Sequence, residues 1–405
     1  MKRITIFLLT IFFVGCINQN NERSRYNKEQ IKSLHLDSAK IVTAESDSAI
    51  KVDLNPFLKK QAFNFGSLIE EVTLVSLETT DESLVDVIYK ILVTESNIYI
   101  HDRYKGGGII IFDNEGNFVR RISNGQGPGE ISGLYDMDFD INKKELVAFQ
   151  HSFFLFFSPS GQFLRKERLP FGFYNFLVLS DGYIFKTLDR QGNEHLEDLK
   201  DNTILITDKD FRLMSVGLSY PPSDVNYGGY SYLYRNNNNI SITQRFVNTI
   251  HQYDDETNKI KIKYYLDFSR KQLPEKYLKG YRKEFFDAIK NNDYYYYLGQ
   301  YIESQSHDVF YLCNNYIGLN TVIYRDNLSG NLEGGTNADL NFNEIPQIGF
   351  PVTSYGDFLI SYFLPSKNDS LLINSSILSN KDKQKIKNVE EEDNPILAFF
   401  KLKNF

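Results

Sequence analysis

The sequence predicts an all-β protein, a six-bladed β-propeller with four-stranded blades. A unit of short β-rich runs separated by turn residues recurs along the chain, and this indicates a repeat architecture. The two clearest copies place a turn glycine at Gly116 and at Gly161, 45 residues apart, close to the roughly 40–50 residues of one blade. Aromatic residues make up 15% of the chain and Trp is absent, which favours many short strands over helices.

The first unit lies in residues 97–140, where β-rich runs alternate with turns. Asp113-Asn114-Glu115-Gly116 is its hairpin signal, because Gly116 tolerates a positive φ. A single unit of this kind would indicate no more than an antiparallel hairpin, but residues 153–165 repeat it. Weaker copies and a last strand bring the count to six units: residues 203–216, 249–263, 321–332 and 396–403.

Four stretches carry a family resemblance: Val75-Ser76-Leu77-Glu78-Thr79, Ile111-Phe112-Asp113 with Gly116, Gly125-Gln126-Gly127-Pro128-Gly129-Glu130, and Tyr265-Leu266-Asp267-Phe268. Through these four stretches the chain resembles the secreted six-bladed β-propeller lipoproteins of Gram-negative bacteria, which are related in shape to NHL-repeat propellers. The resemblance covers about residues 55–405. It implies a propeller fold and a cell-envelope location, but no single reaction.

The N-terminus has the parts of a secretory signal, namely a charged start, an apolar run and a small residue before Cys16. The apolar run over residues 4–14 is too short to span a bilayer, which needs about twenty residues in a helix. Phe13-Val14-Gly15-Cys16 resembles a lipobox, so we predict a lipoprotein signal peptide over residues 1–16 with lipidation at Cys16. The alternative is an ordinary secretory peptide with an incidental cysteine. Residues 17–54 are polar without apolar periodicity, and we predict that they form a flexible tether.

Residues 55–405 are predicted to form the propeller. The strand at residues 71–77 precedes the first full unit, and we expect it to close the last blade so that no sheet edge stays open. Because the strands of a blade alternate in direction, two kinds of connection lie on the same face of the propeller. They are the connection between the second and third strands and the connection from one blade to the next. All the long insertions fall at such connections, including helical ones at about residues 269–296 and 365–395.

This insertion-bearing face is the predicted binding surface, because long loops on a rigid scaffold concentrate binding residues. The alternative is that insertions accumulate where folding tolerates them. In the loops of blade one, five residues are candidates for ligand binding: Arg103, Tyr104, Lys105, Gln126 and Glu130. We expect residues 269–296 to form a partial lid.

Composition and motifs argue against several classes of function. A formal net charge of −7 without a basic stripe argues against nucleic acid as a partner. There is no nucleophile elbow, P-loop, dinucleotide fingerprint or zinc-ligand spacing, so we predict no catalytic residue. Five of the six histidines fall about one per blade but out of register, which argues against a metal ring. Cys313 in an apolar run is expected to be a buried hydrophobe.

We therefore expect a lipid-anchored cell-envelope protein, at the outer membrane, that binds a small molecule, glycan, peptide or envelope protein. No cofactor is predicted, although four carboxylates would suit Ca²⁺ if they converged: Asp102, Glu130, Asp136 and Asp138. Two other functions stay open at this point. One is a Ca²⁺-dependent hydrolase or lactonase. The other is an architectural subunit of an envelope complex with an apolar patch on the side of the barrel.

Overall fold

The computed structural model describes residues 26–58, 65–103, 107–188, 192–221, 223, 225, 231–236, 239–314, 321–336, 348–366 and 369–405. Within these residues the strands form six mainly antiparallel sheets. The first strands of successive sheets contact one another in a closed order, and the sixth contacts the first. The protein is therefore a six-bladed β-propeller, as the sequence predicted.

Each blade has four strands that follow one another in meander order from the innermost outward. Blade one contains Ile88–Val93, Asn97–Asp102, Gly108–Asp113 and Phe118–Ile122; blade two contains Leu134–Asp140, Glu145–Gln150, Phe153–Phe157 and Phe163–Arg168. Blade three contains Asn175–Leu179, Gly182–Lys186, Asn202–Thr207 and Leu213–Ser219; blade four contains Leu233–Asn236, Asn239–Ile242, Thr249–Asp254 and Lys259–Asp267. Blade five contains Tyr301–Glu303, His307–Leu312, Thr321–Asp326 and Leu332–Thr336; blade six contains Thr353–Tyr355, Phe358–Phe363, Ile396–Leu402 and Ile69–Ser76.

The outer strand of blade six comes from the N-terminal side of the propeller. Ile69–Ser76 pairs antiparallel with Ile396–Leu402, and the register joins Ser76 to Ile396 and Thr73 to Phe399. Blade six thus combines strands from both ends of the propeller sequence, and the ring is closed as predicted. Without Ile69–Ser76, blade six would have only three strands, and the edge of Ile396–Leu402 would stay open.

An aspartate at the end of the third strand sets the geometry of the following hairpin. In blade one, Asp113 Oδ1 accepts the backbone N–H groups of Glu115 and Asn117 at 3.0 and 2.8 Å. Gly116 follows at φ +92°, and Gly161 occupies the corresponding turn of blade two at φ +80°. The same carboxylate turn recurs in blades three, four and five, at Asp208, Asp254 and Asp326. This local chemistry is the reason that the repeat is visible in the sequence.

The cores lie between neighbouring blades, because alternate side chains of a strand face opposite sides of its sheet. In the third strand of blade one, Ile109 and Ile111 pack against blade two, whereas Ile110 and Phe112 pack against blade six. The interface of blades two and three is aromatic: the Phe154 ring lies 4.5 Å from that of Phe176. Phenylalanine rings thus fill the interface between these blades.

The segment predicted as a flexible tether lies instead on the propeller from residue 26 onward. Lys40–Val42 pairs parallel with the outer strand of blade three, and Ile50–Asp53 pairs parallel with that of blade four. The prediction for residues 17–54 was therefore wrong over residues 26–54. These added strands have three and four residues and face solvent on one side, so they are too short and too polar to show apolar periodicity.

Long connections gather at one end of the strands, which we call the insertion end; the opposite end is the turn end. The described connections at the turn end have at most five residues, whereas residues 268–300 and 364–395 lie at the insertion end. The α-helices and 3₁₀ helices lie in the N-terminal segment and in connections: Lys28–Ser33, Leu36–Ser38, Asn55–Phe57, Phe65–Leu68, Glu194–Asp201, Glu275–Leu278, Arg282–Asn291, Ser370–Asn374 and Asn380–Asn388. Helical insertions on one face were predicted, and the structure has them.

The insertion at residues 269–296 is divided into two short helices. Gly280 at φ +109° separates them. Phe285 and Ile289 are buried, but Tyr281 is 80% exposed. The insertion of blade six covers the outer edge of its own blade, since Asp382 accepts the Leu74 N–H at 3.2 Å and Lys385 donates to the Leu74 carbonyl. Among the described helices, none is long and apolar enough to cross a membrane.

Candidate functional site

Three tyrosines occupy corresponding positions at the insertion end of the innermost strands. They precede the first regularly paired residue of blades one, two and three, in Tyr89-Lys90, Tyr135-Asp136 and Tyr174-Asn175. Tyr89 and Tyr135 lie in β-bulges, where the register between first and second strands shifts. A bulge redirects a side chain relative to the regular pleat. We call these residues the inner tyrosines.

Three polar side chains, Lys90, Asp136 and Asn175, support the inner tyrosines, and we call this set the polar ring. Lys90 Nζ lies 2.7 Å from Asp136 Oδ1, and Asp136 Oδ2 accepts the Phe176 N–H at 3.1 Å. Asn175 Oδ1 then accepts the Tyr232 N–H of blade four at 3.1 Å. The residue after each inner tyrosine therefore joins its own blade to the next. This arrangement fixes the backbone that carries the tyrosines.

A second set of bonds lies deeper along the same strands. Asp138 Oδ2 accepts the Val178 N–H at 2.7 Å and lies 3.1 Å from the Arg235 guanidinium. Asp138 is 3% exposed. Because burial of a carboxylate is costly without partners, Arg235 and the Val178 amide offset the cost of burying Asp138.

Cationic and aromatic groups surround Tyr89. The Arg103 guanidinium lies 4.8 Å from the centre of the Tyr89 ring, within cation–π range. The His101 ring lies 4.8 Å from the Tyr89 ring. Burial, with Lys90 and Arg103 nearby, lowers the pKa of His101 to about 3. His101 is therefore neutral at pH 7, and Arg103 supplies the positive charge beside Tyr89.

The structure brings only part of the predicted site together. Arg103 lies beside Tyr89, and its loop approaches the next connection, where a Cβ added to Gly107 would lie 3.1 Å from the Asn124 side chain. Gln126 is exposed in that second loop. Glu130 folds back on its own turn, since its Oε2 accepts the Gly127 N–H at 2.7 Å. Tyr104 and Lys105 lie outside the described residues, as does Cys16.

The four carboxylates considered for Ca²⁺ have separate partners. Asp136 belongs to the polar ring, Asp138 is paired with the Val178 amide and Arg235, and Glu130 closes a turn. Asp102 accepts the Val87 N–H at 3.1 Å and lies 3.5 Å from Arg121. Within the part of the chain that the structure describes, no three His, Cys, Asp or Glu side chains gather in a metal-binding group.

A buried lysine lies at the insertion end between blades three and four. Lys186 is 2% exposed and donates to Gln244 Oε1 at 3.1 Å. Burial and the nearby Arg245 hold its pKa well below the usual value. Burial and Lys186 also lower the pKa of His251 to about 4. These residues were not predicted, because no local pattern distinguishes a strand lysine that faces another blade.

The inner tyrosines were also missed, although the sequence carries a signal for them. Each is a tyrosine followed by a polar residue at the start of a blade. The signal becomes visible only after the blades are aligned on their first strands, which are the least regular strands of the repeat. The three positions offer phenol rings at the same end of neighbouring blades, with the Arg103 guanidinium beside Tyr89 and the Phe149 and His151 rings beside Tyr135.

A separate open groove of about 780 Å³ lies beside blade one. It is lined by Asp81, Leu84, Val119 and Arg121 among others. Arg121 crosses it and donates to the Glu82 carbonyl at 2.7 Å. The groove lies beside the outer strand of blade one, and none of the inner tyrosines is among its lining residues.

The chain is similar to proteins of known structure and to one protein family. The chain is similar to a candidate exported protein of Bacteroides fragilis, with 19% identity and a TM-score of 0.71 over 90% of this chain and 100% of that chain. BamB of Moraxella catarrhalis has 12% identity and a TM-score of 0.33 over 65% of this chain and 66% of that chain. No curated protein matches the sequence significantly. A family model described as a domain of unknown function, DUF4934, matches residues 49–401. Because this match spans most of the sequence, the chain belongs to the DUF4934 family.

Proposed function

We propose that this protein is a lipid-anchored binding module of the cell envelope and that it takes its ligand at the insertion end. The observation that carries the proposal is the set of inner tyrosines, held at corresponding positions of three blades by the polar ring. Tyrosines provide large contact area with a polar tip, and they are enriched in binding surfaces. Arg103 adds a charge that suits an acidic or hydroxyl-rich ligand.

The ligand class that fits is a glycan or a peptide with flat faces and polar edges. Phenol rings pack against such faces, and a guanidinium such as that of Arg103 recognises polar or acidic edges. The rigid polar ring favours affinity, because a site that is already in place requires little ordering on binding.

Binding of a glycan array and a peptide library to the purified chain tests this function. For a probe that binds, Tyr135→Ala and Tyr89→Ala are expected to weaken binding about 10-fold or more, as loss of an aromatic contact does. Tyr355→Ala is the matched control, because Tyr355 is 40% exposed at the turn end of a first strand, and Tyr135 is 50% exposed. Equal effects of the Tyr135 and Tyr355 variants would place the site elsewhere.

Anchoring at Cys16 is tested independently of the ligand. A chain lipidated at Cys16 partitions with membranes and incorporates a labelled fatty acid, whereas Cys16→Ser does neither. The similar Bacteroides fragilis protein is described as exported, which supports export of this chain. Unlabelled, soluble wild-type protein would rule out the anchor.

An architectural role is a second candidate, because exposed apolar side chains lie on the outer sides of blades one and two. Leu84, Val119 and Leu164 are 49, 41 and 48% exposed. Such a patch fits a contact with another envelope protein. If Leu164→Asp abolishes co-purification of an envelope partner while Tyr135→Ala does not, the architectural function replaces the ligand-binding one.

A further inference from the structure

The N-terminal chain joins the propeller at its insertion end. Tyr26, the first described residue, is 2% exposed, and its ring lies 4.5 Å from that of His195. His195 belongs to the connection between the second and third strands of blade three, and the nearby Gly172 to the connection between blades two and three. From there the helix Lys28–Ser33 runs outward along the blade, and the Leu34 carbonyl accepts the Leu213 N–H at the turn end.

The length of chain before Tyr26 limits how far the body stands from an anchor at Cys16. Ten residue steps reach at most about 33–36 Å when fully extended, and a flexible chain of that length averages about 16–19 Å. A compact body of this size has a radius of gyration of about 21 Å. With the turn end toward the bilayer, the ten residues would be stretched along the whole propeller. A short anchor therefore favours the insertion end toward the membrane.

A basic tip projects from this same end. Residues 269–296 carry seven basic and four acidic residues, although the whole chain has a net charge of −7. The tip is Lys279-Gly280-Tyr281-Arg282-Lys283, at the break between the two short helices. Tyr281 is 80% exposed, and Lys283 is 84% exposed at its side chain. The ion pairs of Lys279 with Glu275 and of Lys283 with Asp287 are themselves exposed, so they hold these lysines weakly.

We infer that this basic tip, residues 279–283, rests on the anionic headgroups of the membrane that holds the Cys16 anchor. Tyrosine suits the interface between water and lipid, where its ring is apolar and its hydroxyl remains wet. Lysine and arginine are attracted by anionic lipid within a Debye length of the surface. The inference rests on the proposed lipid anchor. With it, the inner tyrosines face the membrane, and their ligand belongs to that same surface.

Fluorescence quenching on vesicles tests the orientation in the full lipidated chain. A fluorophore is attached to Glu284→Cys beside the tip or to Glu115→Cys at the turn end, two exposed positions with the same change in charge. Vesicles of phosphatidylglycerol and phosphatidylcholine carry a spin-labelled lipid as the quencher. We expect strong quenching at position 284 and little at position 115. Equal quenching, or stronger quenching at 115, overturns the inference.

A charge reversal distinguishes direct contact between the tip and lipid from an orientation of the protein that the anchor alone imposes. Arg282→Glu with Lys283→Glu is expected to weaken the binding equilibrium of the tip with the membrane by about 5-fold for each basic charge removed, and so to lower the ratio of quenching at 284 to that at 115. Lys143→Glu with Lys144→Glu, exposed at the turn end of blade two, is the matched control and should leave the ratio unchanged. Two results would contradict the lipid contact. One is a tip variant with the same quenching ratio as the control. The other is a position 284 that is shielded from solvent only when envelope protein is added.

The anchor itself is read separately, by mass spectrometry of the purified chain. A chain without an acyl group contradicts the proposed anchor, and the tip is then assayed by salt-dependent sedimentation with the same vesicles. If Arg282→Glu with Lys283→Glu abolishes sedimentation, the contact of the tip with anionic lipid is supported even without an anchor. If this variant sediments as the wild-type protein does, the contact of the tip with lipid is contradicted, whether or not an anchor is present.

Discussion

The ammonium group of Lys90 in blade one lies 2.7 Å from a carboxylate oxygen of Asp136 in blade two. Asp136 is 2% exposed and also accepts the Phe176 N–H of blade three, so a single carboxylate joins three blades. We predict that Asp136→Ala lowers the free energy of unfolding by about 3–5 kcal/mol, because the Phe176 amide loses its acceptor and Lys90 loses its counter-charge, keeping the Met137 carbonyl, in a buried site. Chemical denaturation measures this difference.

An exposed pair provides the control for Asp136. Lys283 lies 2.6 Å from Asp287, with side chains 84 and 51% exposed, and removal of such a contact costs about 0.5 kcal/mol or less. If Asp136→Ala cost no more than Lys283→Ala, the polar ring would not be what stabilises the blade contacts.

Gly116 is expected to resist substitution more than another glycine with positive φ. A Cβ at Gly116 would lie 2.3 Å from the Ser76 carbonyl oxygen of the closing strand, whereas Gly356 has nothing within 4 Å. Gly356→Ala should cost about 1–2 kcal/mol for its left-handed backbone alone. Gly116→Ala should cost distinctly more, since it also displaces a strand. Thermal unfolding of both variants checks this, and equal shifts in melting temperature would contradict it.

Asn55 should hold the N-terminal segment on blade four. Its amide donates to Asp53 at 2.8 Å and to the Asp267 carbonyl at 3.1 Å, and its oxygen accepts the Arg270 N–H at 3.0 Å. We predict that Asn55→Ala accelerates tryptic cleavage after Lys51, because the added strand detaches more often. Asp47→Ala, in an exposed loop of the same segment, should leave the cleavage rate unchanged. Rapid cleavage after Lys51 in the wild-type protein would indicate a free tether.

Stability should fall in mild acid. Burial lowers the pKa of His101 to about 3 and that of His251 to about 4, below the value near 6.5 of an unfolded chain. Between about pH 6.5 and 4 the unfolded chain therefore binds protons that the folded chain does not. Each histidine then contributes a loss of up to about 1.4 kcal/mol per pH unit as the pH falls. Denaturation of His101→Phe with His251→Leu should show a flatter pH dependence, and an unchanged slope would assign the effect to other groups.

Cys313 should be unreactive in the folded protein. Its side chain is fully buried, and burial raises the pKa of the thiol to about 12, so thiolate is scarce at neutral pH. We expect a thiol reagent to modify it at the rate at which the protein opens. Ser160→Cys, exposed in a turn of blade two, should react at once and serve as the control. Rapid modification of Cys313 itself would show that its surroundings open easily.

Sequence reasoning reached the fold because the repeat depends on local chemistry. Asp113 and Gly116 shape a hairpin through atoms within four residues of each other, and such turns leave a readable pattern. Arg103 was predicted from its place in a loop that follows an ordered strand, and its role in binding stays a prediction, although the structure places it beside Tyr89. The loop that carries Glu130 was also correctly placed at the insertion end, although its carboxylate closes a turn.

The tertiary structure alone decided which distant residues meet. Lys90 and Asp136 are 46 residues apart, and each directly follows a bulge in its own blade. The segment at residues 26–54 looked unstructured because a strand of three or four residues has no stable form until a sheet edge is present to pair with it. The chain thus encoded its blades through turns and alternation, both local properties. The inner tyrosines, the polar ring and the added strands required the assembled propeller, because each depends on surfaces that only folding creates.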